Sequence, residues 1–149
     1  MNLNKKTNLK LIAKNEEDLN VISAYLQDSI ILVKDIVFLK KNRSFVVMAN
    51  RFMWEDVEKG VFRKNKRIRC AIKFGEVLEA KSKNINQKNK NFPIEFLAIK
   101  CSFIEDNMYK IRIFFAGDSI ITLKTEVIEV ALEDLGNSWN VKYIPKHKI

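Results

Sequence analysis

Strict alternation of apolar and polar residues in the segment Arg67–Phe74 is the feature that most limits the fold. Ile68, Cys70, Ile72 and Phe74 share one face, and the residues between them share the other. Because successive side chains of a β-strand point to opposite faces, this pattern predicts a strand with one buried and one solvated face. Strands of this kind are typical of antiparallel sheets. We therefore expect a mainly antiparallel sheet.

Short apolar runs separated by turn residues predict further strands on both sides of this one. They are Asn8–Lys14, Ser29–Val33, Ile36–Lys40, Ser44–Phe52, Val77–Lys83, Ile94–Ile104, Tyr109–Phe115 and Ser119–Lys124. Only two residues separate Ser29–Val33 from Ile36–Lys40, so we expect these two strands to form a tight hairpin. Residues 84–92 are polar and show no periodicity, which predicts a mobile loop.

Two segments are predicted to be helical, one near each end of the chain. In Glu16–Leu26 the apolar residues keep helical spacing, and Asn15 can cap the first turn. The segment Glu126–Leu135 is ambiguous, because its Val and Ile content also suits a strand. We predict a helix there, since Gly136 follows as a C-terminal cap and several apolar residues keep helical spacing. Those residues are Ile128, Ala131, Leu132 and Leu135. A short helical turn is predicted at Trp54–Lys59.

Many strands at short spacing with a helix near each end predict an α+β fold with a strongly bent antiparallel meander. A length of 149 residues fits a single domain covering residues 1–149. Residues 1–7 and 145–149 are predicted to be frayed tails. A meander closed by a C-terminal helix resembles pleckstrin-homology-like barrels, and this fold-level analogy makes a barrel one expected form of the sheet.

Positive charge is concentrated in one part of the chain. The net charge is +9, and residues 63–90 hold ten basic residues but only two acidic ones. This basic hairpin predicts binding of nucleic acid or another polyanion through Arg67, Arg69 and Lys73, with Lys110 and Arg112 added if their strand lies in the same sheet. The alternative is a solvated sheet face that AT-rich coding sequence filled with lysine. The sequence leaves both readings open.

A second candidate site is the crowded group Asn50, Arg51, Trp54 and Glu55 at the end of the strand Ser44–Phe52. Arg51 can pair with Glu55, or its planar fork can bind a carboxylate or phosphate ligand. Trp54 offers one N–H donor and a large apolar surface. The group predicts either a structural corner or a ligand site. A small-molecule enzyme that uses Arg51 and Glu55 is a further alternative.

Motifs that specify a reaction are absent from the sequence. There is no phosphate-binding glycine loop and no Cys or His pair with metal-ligand spacing. The single histidine, His147, lies in a basic tail, and neither Cys70 nor Cys101 has a base that could activate it. Four carboxylates could form a site only if the fold brings them together: Asp28, Glu55, Glu126 and Asp134. We therefore expect a non-enzymatic binding or interaction module without catalytic residues, cofactor or metal, whose partner is unknown and could be another protein or a second copy of the chain.

The sequence also predicts a cellular compartment. No apolar run is long enough to span a bilayer, and the polar N-terminus lacks the apolar region of a signal peptide. The two cysteines lie inside strand patterns instead of forming a disulfide framework. We therefore expect a cytoplasmic protein that does not bind membranes.

Several short blocks, in order along nearly the whole chain, resemble one known family. They are LKLIA, EEDL and VISA near the start, NRF-x-WE after the strand Ser44–Phe52, FLAI and the FAG turn, and LEDLG-x-x-W near the end. On these blocks the chain resembles an alphaproteobacterial family of small uncharacterised proteins, the domain of unknown function numbered 2948. The resemblance implies no activity, cofactor or site residue. This chain is richer in Lys and Asn than the family pattern, which favours genome composition as a source of its charge.

Overall fold

The computed structural model describes residues 9–55 and 65–145. Its elements form a ten-stranded sheet and a helix of eleven residues. In chain order they are β1 (Lys10–Ala13), α1 (Glu16–Leu26), β2 (Ile30–Leu32), β3 (Ile36–Leu39), β4 (Ser44–Phe52), β5 (Lys66–Phe74), β6 (Val77–Lys83), β7 (Pro93–Ile104), β8 (Met108–Phe115), β9 (Ser119–Thr125) and β10 (Val130–Asn140).

The strands lie in the order β1-β10-β5-β4-β2-β7-β8-β9-β6, and β3 pairs with β4 beside β2. Each of these pairings is antiparallel. The predicted antiparallel α+β fold is therefore confirmed in its main feature. The sheet does not close into a barrel, because in the described residues β3 and β6 do not pair with each other.

The core lies on the inner face of the sheet, where α1 covers it. Leu19, Ile22 and Leu26 of the helix are buried in one cluster with inward-facing residues of the strands. The predicted alternation of β5 is confirmed, since its four apolar residues are all buried. No helix in the described part of the chain is long and apolar enough to cross a membrane.

The helix α1 has the predicted bounds and the predicted cap. The side-chain oxygen of Asn15 accepts a hydrogen bond from the backbone N–H of Asp18 at 2.8 Å. Three acidic residues occupy the first turn, where they face the positive end of the helix dipole. This segment has no competing partner strand, so local sequence determines its structure.

The predicted helix over Glu126–Leu135 is wrong, because this segment contributes most of the strand β10. Val130, Leu132 and Asp134 are buried while Glu133 and Leu135 are exposed, which is strand alternation. β10 lies between β1 and β5 and forms backbone ladders with both. Two ladders outweigh the helical spacing of a short segment whose Val and Ile content already suits a strand.

The predicted hairpin of the second and third strands is also wrong. Val33–Asp35 forms a 3₁₀ turn, and β2 and β3 then both pair with β4. β2 also pairs with β7, so it joins the two halves of the sheet. The hairpin that forms instead is β3–β4, and its turn ends at Arg43 with a left-handed φ of 51°.

Some predictions lie partly or wholly outside the described residues. Trp54 and Glu55 are helical, as predicted, and the rest of that turn is not described. The predicted tails lie outside the described residues except for Pro145. In the loop of residues 84–92, the backbone oxygens of Lys90 and Phe92 accept hydrogen bonds from Lys34 and Val33. Its mobility stays a prediction.

Candidate functional site

Arg51 lies at the centre of the group that the sequence singled out, and it is fully buried. It points to the core face of β4, where β10 brings Asp134 against it. Nε of Arg51 donates to Oδ1 of Asp134 at 2.8 Å, and Nη2 donates to Oδ2 at 2.7 Å. This two-point geometry is the strongest form of an arginine–carboxylate contact.

Glu55 binds the other side of the same guanidinium. Nη1 of Arg51 donates to Oε1 of Glu55 at 2.9 Å, and Nη2 donates to Oε2 at 2.7 Å. Nη1 also lies 3.4 Å from the backbone oxygen of Phe52. A guanidinium has five N–H donors in a fixed fork, and these contacts use all of them. Arg51 therefore has no donor left for a ligand.

The other members of the group hold the same corner together. Nε1 of Trp54 donates to the backbone oxygen of Gln27 at 2.8 Å, which ties β4 to the end of α1. The ring of Trp54 packs edge-on against Phe52 at a centroid distance of 4.6 Å. The side-chain oxygen of Asn50 accepts from Nη1 of Arg69 at 3.3 Å. These contacts favour the structural-corner interpretation.

The electrostatics of the corner keep Arg51 charged. Burial lowers the pKa of its guanidinium, but the hydrogen bonds to Asp134 and Glu55 raise that pKa by more, so it lies above its ordinary value. The guanidinium thus lies between two carboxyl groups. The backbone N–H of Leu9 donates to Oδ2 of Asp134 at 3.2 Å and so links β1 to the cluster.

The four carboxylates considered together in the sequence do not form one site. Glu55 and Asp134 converge on Arg51, whereas Glu126 pairs with Arg43 at 3.2 Å on the surface. Asp28 is buried elsewhere, and its backbone oxygen accepts a hydrogen bond from Arg67. In the described ranges, no group of three or more His, Cys, Asp and Glu side chains is arranged to hold a metal ion.

The two free cysteines differ in their surroundings. Cys70 is fully buried on β5 next to the Arg51 cluster, and burial raises the pKa of its thiol to about 12. Cys101 on β7 is only partly buried, and burial raises its pKa as well. At pH 8 a thiol with a pKa of about 12 is ionised in only about one molecule in ten thousand.

We expect iodoacetamide at pH 8 to modify Cys101 before Cys70, with rates that differ by about tenfold or more, because only the exposed thiolate reacts. Mass spectrometry of peptides from samples quenched at intervals measures both rates. In a urea-unfolded sample the two rates should become similar. Equal modification of both thiols in the folded protein would contradict the burial of Cys70.

The basic residues of β5 contact other parts of the protein. Nη1 of Arg67 donates to the backbone oxygens of Asn50 at 3.0 Å and Asp28 at 3.2 Å. Arg69 forms a salt bridge with Asp35 at 3.3 Å. Of the three β5 residues predicted to bind anions, Lys73 is the one that is exposed to solvent.

Lys110 and Arg112 do not join the β5 residues, because β4, β2 and β7 separate β5 from β8. They lie instead on the outer face of the strands β7, β8, β9 and β6. The register places further basic residues beside them. We call this set the basic face, and it consists of Lys81, Lys100, Lys110, Arg112 and Lys124.

Like charges lie directly opposite each other on the basic face. Lys100 of β7 is the register partner of Arg112 of β8, and Lys110 of β8 is the partner of Lys124 of β9. Directly opposed like charges destabilise a sheet. Of the five basic residues, Lys81 forms a salt bridge within the described part of the chain, with Glu79 at 3.1 Å.

A shallow pocket of about 290 Å³ lies within the basic face. Its lining consists of three lysines, one carboxylate and two uncharged residues: Lys81, Lys110, Lys124, Glu79, Thr122 and Ile104. Lys81 is already paired with Glu79 there, so the ammonium groups of Lys110 and Lys124 are the ones that can bind a phosphate or a carboxylate. Sequence alternation alone indicates that Lys110, Arg112 and Lys124 point outward, but only the strand order shows that Lys81 and Lys100 lie beside them.

The fold defines a sheet-dominated α+β protein with a buried ion cluster at Arg51. A family model for a protein of unknown function, DUF2948, matches residues 9–147, so the chain belongs to that family. The family predicted from the sequence blocks is thereby confirmed. Searches of curated proteins and of solved structures found no match to the chain.

Proposed function

We propose that this protein is a non-enzymatic binding module and that its basic face binds the phosphate backbone of a nucleic acid. The observation that carries the proposal is the two pairs of directly opposed like charges, Lys100 with Arg112 and Lys110 with Lys124. Such pairs cost stability in the free protein, and at Lys124 the opposite charge of its other register partner, Glu79, offsets part of that cost. A bound row of phosphates would remove that cost by neutralising both members of each pair.

The arrangement of the basic face supports contact with the backbone and not with bases. Neighbouring strands lie about 4.8 Å apart. One row across them holds Lys100, Arg112 and Lys81, and the other holds Lys110 and Lys124 beside Glu79. Phe114, the aromatic ring that Lys100 covers at 5.7 Å, is partly buried and not free to stack on a base. Binding of this kind is electrostatic and independent of sequence. The buried Arg51 cluster has no role in it.

Titration of labelled double-stranded DNA at several salt concentrations tests the proposal. If all five basic residues contact phosphates, the logarithm of the association constant should fall against the logarithm of salt concentration with a slope of about −4 to −5. The variant Lys110→Gln should weaken binding and reduce the magnitude of that slope by about 1. Single-stranded DNA and RNA serve as parallel ligands.

Lys73→Gln is the matched control, because Lys73 is an exposed lysine on β5, outside the basic face. It removes the same charge and should leave the slope unchanged. Equal effects of the two variants would show that only the net charge acts. A wild-type protein that does not bind at low salt would overturn the proposal.

We also propose a cytoplasmic location. It is supported by the two free cysteines, one of them fully buried beside an ion cluster, since reduced thiols are typical of reducing compartments. Self-association and the alphaproteobacterial origin of the family stay predictions.

A further inference from the structure

A gap, which we call the window, separates the edges of strands β3 and β6. In the part of the chain that the structure describes, β3 pairs with β4 alone and β6 pairs with β9 alone, so each has an unpaired edge. The window is closed at both ends by backbone hydrogen bonds. Val77 donates to Arg43 at 2.7 Å at one end, and Lys34 donates to Lys90 at 2.9 Å at the other.

The window opens into a pocket of about 290 Å³ that reaches the core. Its apolar lining comes from β3, β4, β6 and β9 and includes Ile36, Phe38, Phe45, Ala80 and Ile121. Apolar clefts with a few polar groups are typical of small-molecule sites, and this volume lies at the small end of their range. Because both ends are closed, a bound molecule has to be compact and cannot be a continuous strand.

The charged groups around the pocket are all positive. Lys81 and Lys90 contribute to its lining together with Ser82 and Gln87, and no carboxylate does. Lys81 is in contact with Glu79, whereas Lys90 forms no salt bridge within the described residues. An apolar interior beside an unpaired ammonium group complements a molecule with an apolar body and one anionic group.

We propose that this pocket binds a small amphipathic anion, with its apolar body against Phe38, Phe45 and Ala80 and its anionic group beside Lys90. The apolar body removes partly buried side chains from water, and the ammonium group fixes the orientation of the anion. The site shares Lys81 with the basic face, but it does not depend on the function proposed for that face.

Two fluorescent probes that differ by a single charge test this site. Anilinonaphthalene sulfonate has an apolar body and one sulfonate, and N-phenylnaphthylamine has the same body without the charge. We expect both to bind at one site per chain. The variant Ala80→Leu fills the pocket and should lower the affinity for both probes by about tenfold or more. Lys90→Gln should lower the affinity for the sulfonate by about three- to fivefold and leave the affinity for the neutral probe unchanged.

Lys73→Gln is the control for charge, because Lys73 is an exposed lysine outside both this pocket and the basic face. It should leave both probes unchanged, and circular dichroism should show that every variant is folded. If the Ala80→Leu variant is folded and its affinity for the probes is unchanged, the probes do not bind in this pocket and the proposal is wrong. Equal effects of Lys90→Gln and Lys73→Gln on the affinity for the sulfonate would overturn the placement of the anion. If Ala80→Leu does not fold, the comparison of those two lysine variants decides the proposal.

Discussion

Replacing Arg51 by methionine is expected to lower the free energy of unfolding by about 3–5 kcal/mol, because one partner of a buried ion cluster is removed. Asp134 is almost fully buried and would lose both hydrogen bonds to the guanidinium. Glu55 would lose its two contacts as well. Urea denaturation followed by far-ultraviolet circular dichroism measures the change.

Arg43→Met is the matched control for this substitution. Arg43 pairs with Glu126 at 3.2 Å, but both side chains are about half exposed. The loss should therefore stay below about 1 kcal/mol. Arg51→Lys keeps the charge but loses the planar fork, so we expect a loss between those of the other two variants. If Arg51→Met costs no more than Arg43→Met, the cluster does not stabilise the fold.

Leu132→Ala is expected to cost about 2–5 kcal/mol, because the leucine is fully buried and its removal leaves a cavity. Its side chain lies on the inner face of β10, in register with Ile72 of β5 and Leu11 of β1. β10 and β5 are each paired on both sides, which limits their movement into the space. Thermal and urea denaturation both report the loss.

Leu135→Ala removes the same atoms from the same strand and serves as the control. In a helix, Leu132 and Leu135 would share one face and the two substitutions would have similar effects. In a strand, an odd spacing places them on opposite faces, and Leu135 is 37% exposed. We therefore expect Leu135→Ala to lower the free energy of unfolding by less than about 1 kcal/mol. Similar losses for both variants would contradict the strand.

Local patterns predicted the elements for which alternation, capping residues and turn residues all favour the same structure. The bounds of α1, β4 and β6 match those predicted, because capping residues, alternation and turn residues act over a few positions. The segment at β10 was mispredicted because its structure depends on two partner strands far away in the chain. Its apolar residues do keep helical spacing, but the two backbone ladders stabilise the strand more than this spacing stabilises a helix.

The candidate sites illustrate the same limit. Alternation along Phe45, Val47 and Ala49 places Arg51 on the core face, so its burial could be predicted. Its partner Asp134 lies 83 residues away and is brought there by the register of three strands. The basic face likewise depends on the sheet order, which separates β5 from β8. No property of one strand contains that information.

The pairing of β1 with β10 has a consequence for synthesis on the ribosome. The backbone of Leu9 contacts Asp134 across 125 residues, so β1 leaves the ribosome long before its partner exists. Contacts of such high order close only after the intervening chain has been ordered, which slows folding. Asp134 is likewise synthesised long after Arg51, and the guanidinium stays hydrated until the two can pair. Release of β10 from the exit tunnel therefore sets the earliest moment at which the native sheet is complete, and a nascent chain stalled before that point exposes the unpaired edge of β5 to aggregation.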